Sequence, residues 1–206
     1  TKALLKFISI FYMSKRAIAI LTIVLALVVD QVSKIYVKTH FEYTETVHVL
    51  SWFKLQFIEN NGMAWGFEFG GRAGKLFLTL FRVVAVFGIL YWLRNTIIRK
   101  AHTIVVVAIA LVFSGALGNI IDSVFYGVIF DAPAYGTATL FAENPYGELF
   151  YGRVVDMLYF PIYEGENFTF FNAIFNGADS FITIGVILLF FFNKEAFPKE
   201  EKKESL

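Results

Sequence analysis

The sequence predicts a mainly α-helical membrane protein with four transmembrane helices, a small extracytoplasmic β-sheet and a long outer loop. Three observations carry that prediction. The 206 residues are 57% hydrophobic and only 17% charged, against about 45–50% and about 25% in soluble domains. The apolar excess is gathered into long blocks separated by polar stretches. The basic residues then sort by side: Lys15, Arg16, Arg94, Arg99, Lys100, Lys194, Lys199, Lys202 and Lys203 fall on one side of a four-span arrangement, while Lys38, Lys54, Arg72 and Arg153 are spread over far longer loops on the other. Basic loops stay inside, so both termini are expected in the cytoplasm.

The elements follow in order as one integral membrane domain over 1–206. Met13-Ser14-Lys15-Arg16 resembles a natural start, and residues 1–12 read as an upstream extension. The first span covers about 17–37. It is too long for a signal peptide, and no small-x-small cleavage site follows it. Asp30 and Lys34 interrupt it at i and i+4, on one face. The outer sheet is expected at about 44–67, because Lys54 and Gln56 alternate with Phe53, Leu55 and Phe57 at strand period. Asn60-Asn61-Gly62 reads as a turn. The second span covers about 76–93 and contains Arg82, for which the sequence offers no role. The third covers about 103–121, with Gly115 and Gly118 admitting close helix approach and Asn119 and Asp122 sharing a face. An outer insertion of about 123–172 follows, with Asn167-Phe168-Thr169 as a weak glycosylation match. The fourth span covers about 178–192, and a charged tail closes the chain.

Composition excludes several chemistries. A net charge of +1 gives no nucleic-acid footprint. The absence of cysteine removes disulfides, thiolate metal sites and a cysteine nucleophile. His40, His48 and His102 show no metalloprotease spacing, so no metal and no cofactor is expected.

The acids point to a site. At a helical rise of ~1.5 Å per residue, Asp30 lies roughly 20 Å along from Arg16, and Asp179 roughly the same from Asn193. Asn119 and Asp122 lie roughly 25–30 Å from His102. Groups from separate spans therefore meet at one level, near the outer boundary. An ionisable group at that depth marks a functional site by default. Asp179 also suits a plain helix cap, where Asp is favoured. Two carboxylates in an apolar setting share a proton and can activate water against a peptide carbonyl without a metal. Asp122, Asp131 and Asp156 are the candidate partners of Asp179. Val154-Val155-Asp156-Met157 is a stiff β-branched frame, whereas Asp131 precedes Ala132-Pro133 and reads as the entry to a turn.

Five segments, in order, resemble the motifs of the bacterial lipoprotein signal peptidase family, the type II signal peptidases. Asp30-Gln31-Val32-Ser33-Lys34 resembles D-Q-x-x-K, and Asn60-Asn61-Gly62-Met63-Ala64-Trp65-Gly66 resembles N-x-G-x-A-F/W-G. Gly115-Ala116-Leu117-Gly118-Asn119-Ile120-Ile121-Asp122 resembles G-A-x-G-N-x-x-D-R, Gly152-Arg153-Val154-Val155-Asp156-Met157 resembles G-x-V-V-D-F/M, and Phe175-Asn176-Gly177-Ala178-Asp179 resembles F-N-x-A-D. The resemblance implies an aspartic endopeptidase that cleaves before a diacylglyceryl-modified cysteine, with Asp156 and Asp179 as the dyad. It places Asp30, Lys34, Asn60, Gly62, Asn119, Asp122, Asn176 and Ala178 on supporting or substrate-binding positions. It implies a diacylated prolipoprotein substrate and membrane lipids as partners, no cofactor, and a monomer in the inner membrane. Ser123 stands where the family has arginine, leaving that role to Arg153 or unfilled, and the insertion is longer than the family pattern. The rival readings are a proton-coupled carrier using the acids and Lys34 as a relay, and a non-catalytic membrane scaffold.

Overall fold

A computed structural model describes residues 13–61, 70–133, 136–161, 163–164, 169–170 and 172–197. Gly62 and the motif residues that follow it, Met63 to Gly66, Asn167 and Phe168 of the glycosylation match, residues 1–12 and the end of the tail lie outside the described residues.

Helix α1, Lys15–His40, starts where Ser14 Oγ accepts a hydrogen bond from the Ala17 amide at 3.2 Å. It is longer than the predicted span at both ends. Ala19, Ala26, Asp30, Lys34 and Val37 are buried along one face, while Val24, Val28 and Val32 on the other are more than half or about half exposed. An apolar face turned outward is what a bilayer covers. Strands β1, Thr46–Leu50, and β2, Phe53–Asn60, form an antiparallel hairpin. Helix α2, Gly71–Ile98, is again longer than its predicted span.

Helix α3, Thr103–Ile121, is the centre of the bundle. Val105, Val106, Ala108, Ile109 and Ala110 are fully buried, and α1, α2 and the later helix α4, Gly177–Phe191, all pack against α3. A Cβ added at Gly115 would meet the Ala178 carbonyl, and one at Gly118 would come within 2.5 Å of Asp30 Oδ2. These glycines therefore let α1 and α4 reach α3 exactly where the acids sit on the chain.

The expectation that an outer loop begins at residue 123 is corrected. The helix continues through a π-helical turn, Asp122–Tyr126, and one more turn, Gly127–Ile129. Val124 and Tyr126 are buried in apolar clusters there, so the chain gains by staying helical. The insertion then supplies β3, Val154–Tyr159, β4, Tyr163–Glu164, β5, Thr169–Phe170, and β6, Ile174–Phe175. The main sheet has the order β1-β2-β3-β6, so the sheet expected from 44–67 alone is completed from the other side of the sequence. Its β2–β3 register pairs Ile58 with Asp156, and a bulge between Leu55 and Ile58 re-aims the strand beside that residue. A short helix α5, Asn193–Ala196, follows α4.

By length and composition three helices among the described residues suffice to cross a membrane: Lys15–His40, Gly71–Ile98 and Thr103–Ile129. Gly177–Phe191 is apolar but shorter. The structure is thus mainly helical, with three long apolar helices and a small antiparallel sheet.

Candidate active site

Four elements meet at the C-terminal end of α3. Lys34 on α1 is fully buried and has three N–H donors. They meet Asp122 Oδ2 at 2.8 Å, Asn119 Oδ1 at 2.9 Å and Asp30 Oδ2 at 3.0 Å. The sequence pairs Lys34 with Asp30 alone; the fold makes it the centre of a triad, because α3 brings Asp122 to the same face. Gln31 closes this cluster by donating to Asp30 Oδ2 and Asp122 Oδ1, both at 3.0 Å, and accepting from the Tyr126 hydroxyl at 3.1 Å. Asp30 Oδ1 also accepts from the Ala178 amide at 2.8 Å, and Asp122 Oδ2 from the Val155 amide at 3.3 Å. Each structural acid therefore ties down the backbone beside one acid of the predicted dyad.

The dyad positions lie one layer outward. Asp156 on β3 is 6% exposed. Its Oδ1 accepts from Asn176 Nδ2 at 2.7 Å, and its Oδ2 accepts from Asn60 Nδ2. Asp179 stands in the first turn of α4, where Asn176 is the N-cap. The two form a capping box: the Asp179 amide donates to Asn176 Oδ1 at 3.0 Å, and the Asn176 amide donates to Asp179 Oδ2 at 3.3 Å. The plain capping role of Asp179 is thus present alongside its place in the site. Asp179 Oδ1 accepts from Asn119 Nδ2 at 2.9 Å. Because Lys34 can only donate, Asn119 must turn its oxygen to Lys34 and its NH2 to Asp179.

Asn176, fully buried, is the hub. Its Nδ2 reaches Asp156 Oδ1, and Asn119 Oδ1 at 3.1 Å, while its own backbone and Oδ1 hold Asp179. Asp156 and Asp179 are therefore separated by one asparagine. Burial first, and the charge on Asp179 second, push the Asp156 carboxyl up to about 7. Among the described residues the hydrogen-bond donors on these two carboxylates are all amides, whereas Asp30 and Asp122 both bond Lys34. That difference sorts the four acids into one pair that shares a lysine and one that shares an asparagine.

The remaining candidates fall away from this point. Asp131 Oδ1 accepts from the Thr139 amide at 2.7 Å within the insertion. Ser123 donates to the Asn119 carbonyl at 2.9 Å. Arg153 pairs with Glu59 at 3.4 Å and lies over the Tyr146 ring, so it is held on the sheet side. Sequence reasoning left Arg82 without a role, but its guanidinium lies within the electrostatic reach of Asp179. The signal available was its register: Thr79 and Val86, three residues before and four after, are buried on the inward face of α2. No group of three or more histidines, cysteines or acids able to hold a metal occurs among the described residues.

A helical membrane bundle with two linked carboxylates under a small sheet, Asp156 buried and Asp179 partly buried, defines a class, the membrane-embedded enzymes. The likeness to solved structures agrees. A chain titled as a bacterial membrane enzyme, solved by the in meso method, aligns with a TM-score of 0.60 at 28% identity, covering 91% of this chain and 94% of that one. Residues 22–193 match the family described as signal peptidase (SPase) II. A lipoprotein signal peptidase of Porphyromonas gingivalis is 47% identical over 180 residues, covering 81% of this chain and 78% of the relative. One from Symbiobacterium thermophilum is 35% identical over 174 residues, covering 84% and 91%. The chain belongs to the signal peptidase II family, a family of lipoprotein-processing peptidases.

Proposed function

We propose that this chain is an aspartic endopeptidase that removes the signal peptide from diacylglyceryl-modified prolipoproteins, cutting before the lipidated cysteine. The observation that carries the reading is the Asp156–Asn176–Asp179 arrangement, two acids on one amide hub whose hydrogen-bond donors among the described residues are amides. Asp156, raised to about 7, holds the shared proton. Asp179 takes a proton from water as its oxygen attacks the scissile carbonyl carbon. The Asp156 proton stabilises the developing oxyanion. As the tetrahedral intermediate collapses, the C–N bond breaks, and the proton taken by Asp179 passes to the leaving amine. Asn60, Asn119 and Asn176 orient the pair; Asp30, Lys34, Asp122 and Ala178 fix the backbone under it; Gly62 is assigned by its motif alone. No cofactor or metal takes part.

The chain works as one membrane domain over 1–206, as a monomer in the bacterial inner membrane. Four helices cross, with both termini cytoplasmic and the sheet outside. Helix α4 rises only about 22 Å against a hydrocarbon core of about 30 Å, so its first turn and Asp179 lie slightly below the outer surface. That depth suits a peptide bond next to a lipid-anchored cysteine. Strand β1 is one of the two edges of the sheet, β6 being the other, among the described residues, and it can receive the extended substrate as an added strand. The carrier reading loses its relay, because all three Lys34 donors are locked on acceptors.

The test is cleavage of a diacylglyceryl-modified precursor peptide by the purified chain. Wild type is expected to cut before the modified cysteine, with or without a strong chelator. Asp156→Asn and Asp179→Asn are expected to lose the activity. Loss of wild-type cleavage in chelator and its return with added metal would refute the mechanism, and a reporter fused at Asn144 that proves cytoplasmic would refute the topology.

A further inference from the structure

A second buried ion pair stands behind the sheet. Lys38 of α1 is 1% exposed and pairs with Oε1 of Glu59, whose side chain is 4% exposed. The Lys38 Nζ lies 5.1 Å from the ring centroids of Phe130 and Tyr146 and 5.8 Å from that of Phe57. Arg153 Nη1 meets the other Glu59 oxygen, Oε2, at 3.4 Å. The Lys38 carbonyl also accepts from the Ala138 amide at 3.2 Å. Helix α1, strand β2 and the insertion are thus joined around one carboxylate. Phe57 and Phe130 belong to an apolar cluster with Val37, Phe41, Val155 and Met157, where uncharged side chains of similar volume would pack without the desolvation cost of two charges. The best-attested use of a buried pair in such a place is to fix register.

The register in question is that of the end of β2. Glu59 and Asn60 are the last two residues of that strand, and successive strand residues point to opposite faces. Glu59 therefore reaches back to α1, while Asn60 reaches forward and donates to Asp156 Oδ2. In the ladder Glu59 pairs with Val155 and Asn60 with Val154. The bulge between Leu55 and Ile58 shifts the pairing just before them, so the regular ladder near the hairpin does not run unbroken to Asn60. Short terminal stretches of a ladder open readily. The Glu59 carboxylate ties this stretch down one residue away from the amide that meets Asp156.

We infer that Lys38 and Glu59 are positioning residues: from behind the sheet they hold the end of β2 so that the Asn60 amide meets Asp156. Neither belongs to the five motifs, since Lys38 stands four places after the first and Glu59 one place before the second. Their effect on turnover rests on the peptidase reading; their hold on the strand rests on the geometry alone.

The experiment uses the full chain purified in detergent. Lys38→Met with Glu59→Gln removes both charges at nearly constant volume, so the unfolding midpoint is expected to stay within about 4 °C of wild type. Amide hydrogen exchange across residues 57–61 is expected to quicken about tenfold, with exchange in the helices unchanged. With the lipidated precursor peptide, kcat is expected to fall about tenfold and KM to stay within about twofold. Asn60→Ala is expected to lower kcat about a hundredfold, and adding the pair substitutions to it should cost nothing further, because the donor they position is gone. A pair variant that cuts like wild type would overturn the inference, as would losses that multiply in the combined variant, or exchange across residues 57–61 at the wild-type rate. So would a midpoint lowered beyond that range, which marks a pair that only holds the fold. A wild-type chain that leaves the lipidated peptide uncut would fail the peptidase reading instead, while exchange across residues 57–61 still decides whether the pair holds the strand end.

Discussion

Asp156→Asn separates a proton-sharing acid from one that only packs the sheet. Burial and the neighbouring Asp179 raise the Asp156 carboxyl from 3.8 to about 7. About three units correspond to about 4 kcal/mol. The folded chain keeps this proton through a range where the unfolded chain has released it. Native stability from this group is therefore fully present below about pH 4 and is lost as pH rises to about 7. Asparagine carries no charge and lacks that slope. It also faces its own NH2 toward Asn60 and Asn176, which already donate there, a mismatch of about 1–3 kcal/mol. The variant should be less stable than wild type at pH 4 by about 1–3 kcal/mol and more stable by a similar amount at pH 8. The assay is the unfolding midpoint of the purified protein across pH, beside cleavage of the lipidated peptide. Cleavage should fall by at least about a thousandfold, and wild-type activity should decline as pH rises through about 7, where Asp156 loses its proton. Parallel stability curves for the two proteins, or a variant cutting within about tenfold of wild type, would refute the reasoning.

Lys34→Ala leaves Asp30 and Asp122 facing each other in a buried site without their cation, and should cost about 3–5 kcal/mol; normal abundance and midpoint with no turnover would contradict the structural role. Arg82→Gln should lower kcat/KM by about tenfold through loss of a cation near Asp179, with midpoint unchanged and recovery in Arg82→Lys; an unaltered kcat/KM would remove Arg82 from the site. Gly185→Leu should destabilise by about 1–3 kcal/mol or more, because its Cβ alone comes within 2.6 Å of the Ala108 carbonyl; Gly88→Leu, with nothing within 4 Å, should be neutral, and equal midpoints for the two would refute the close α3–α4 contact.

The sequence by itself determined the class of the fold, because apolar blocks and the sidedness of lysine and arginine are properties of composition along the chain. It located the level at which the acids meet, since helical rise is fixed, and the apolar frame around Asp156 distinguished that residue from Asp131. The helical extension through Ile129 was not legible: a π-turn is stabilised by the packing of Val124 and Tyr126, not by local propensity. Nor was the sheet order, in which β3 pairs with β2 from far earlier in the chain. Arg82 read as an orphan because its partner lies on another helix, almost a hundred residues away in sequence order. Spacing alone could place Asp30, Asn119, Asp122 and Asp179 at one level without saying which groups meet there. Only the tertiary structure set Lys34 between Asp30 and Asp122, and amide groups around Asp156 and Asp179. The physical reason is that a carboxylate's surroundings depend on which donors reach it, and those donors come from five separate elements, α1, β2, α3, β3 and α4.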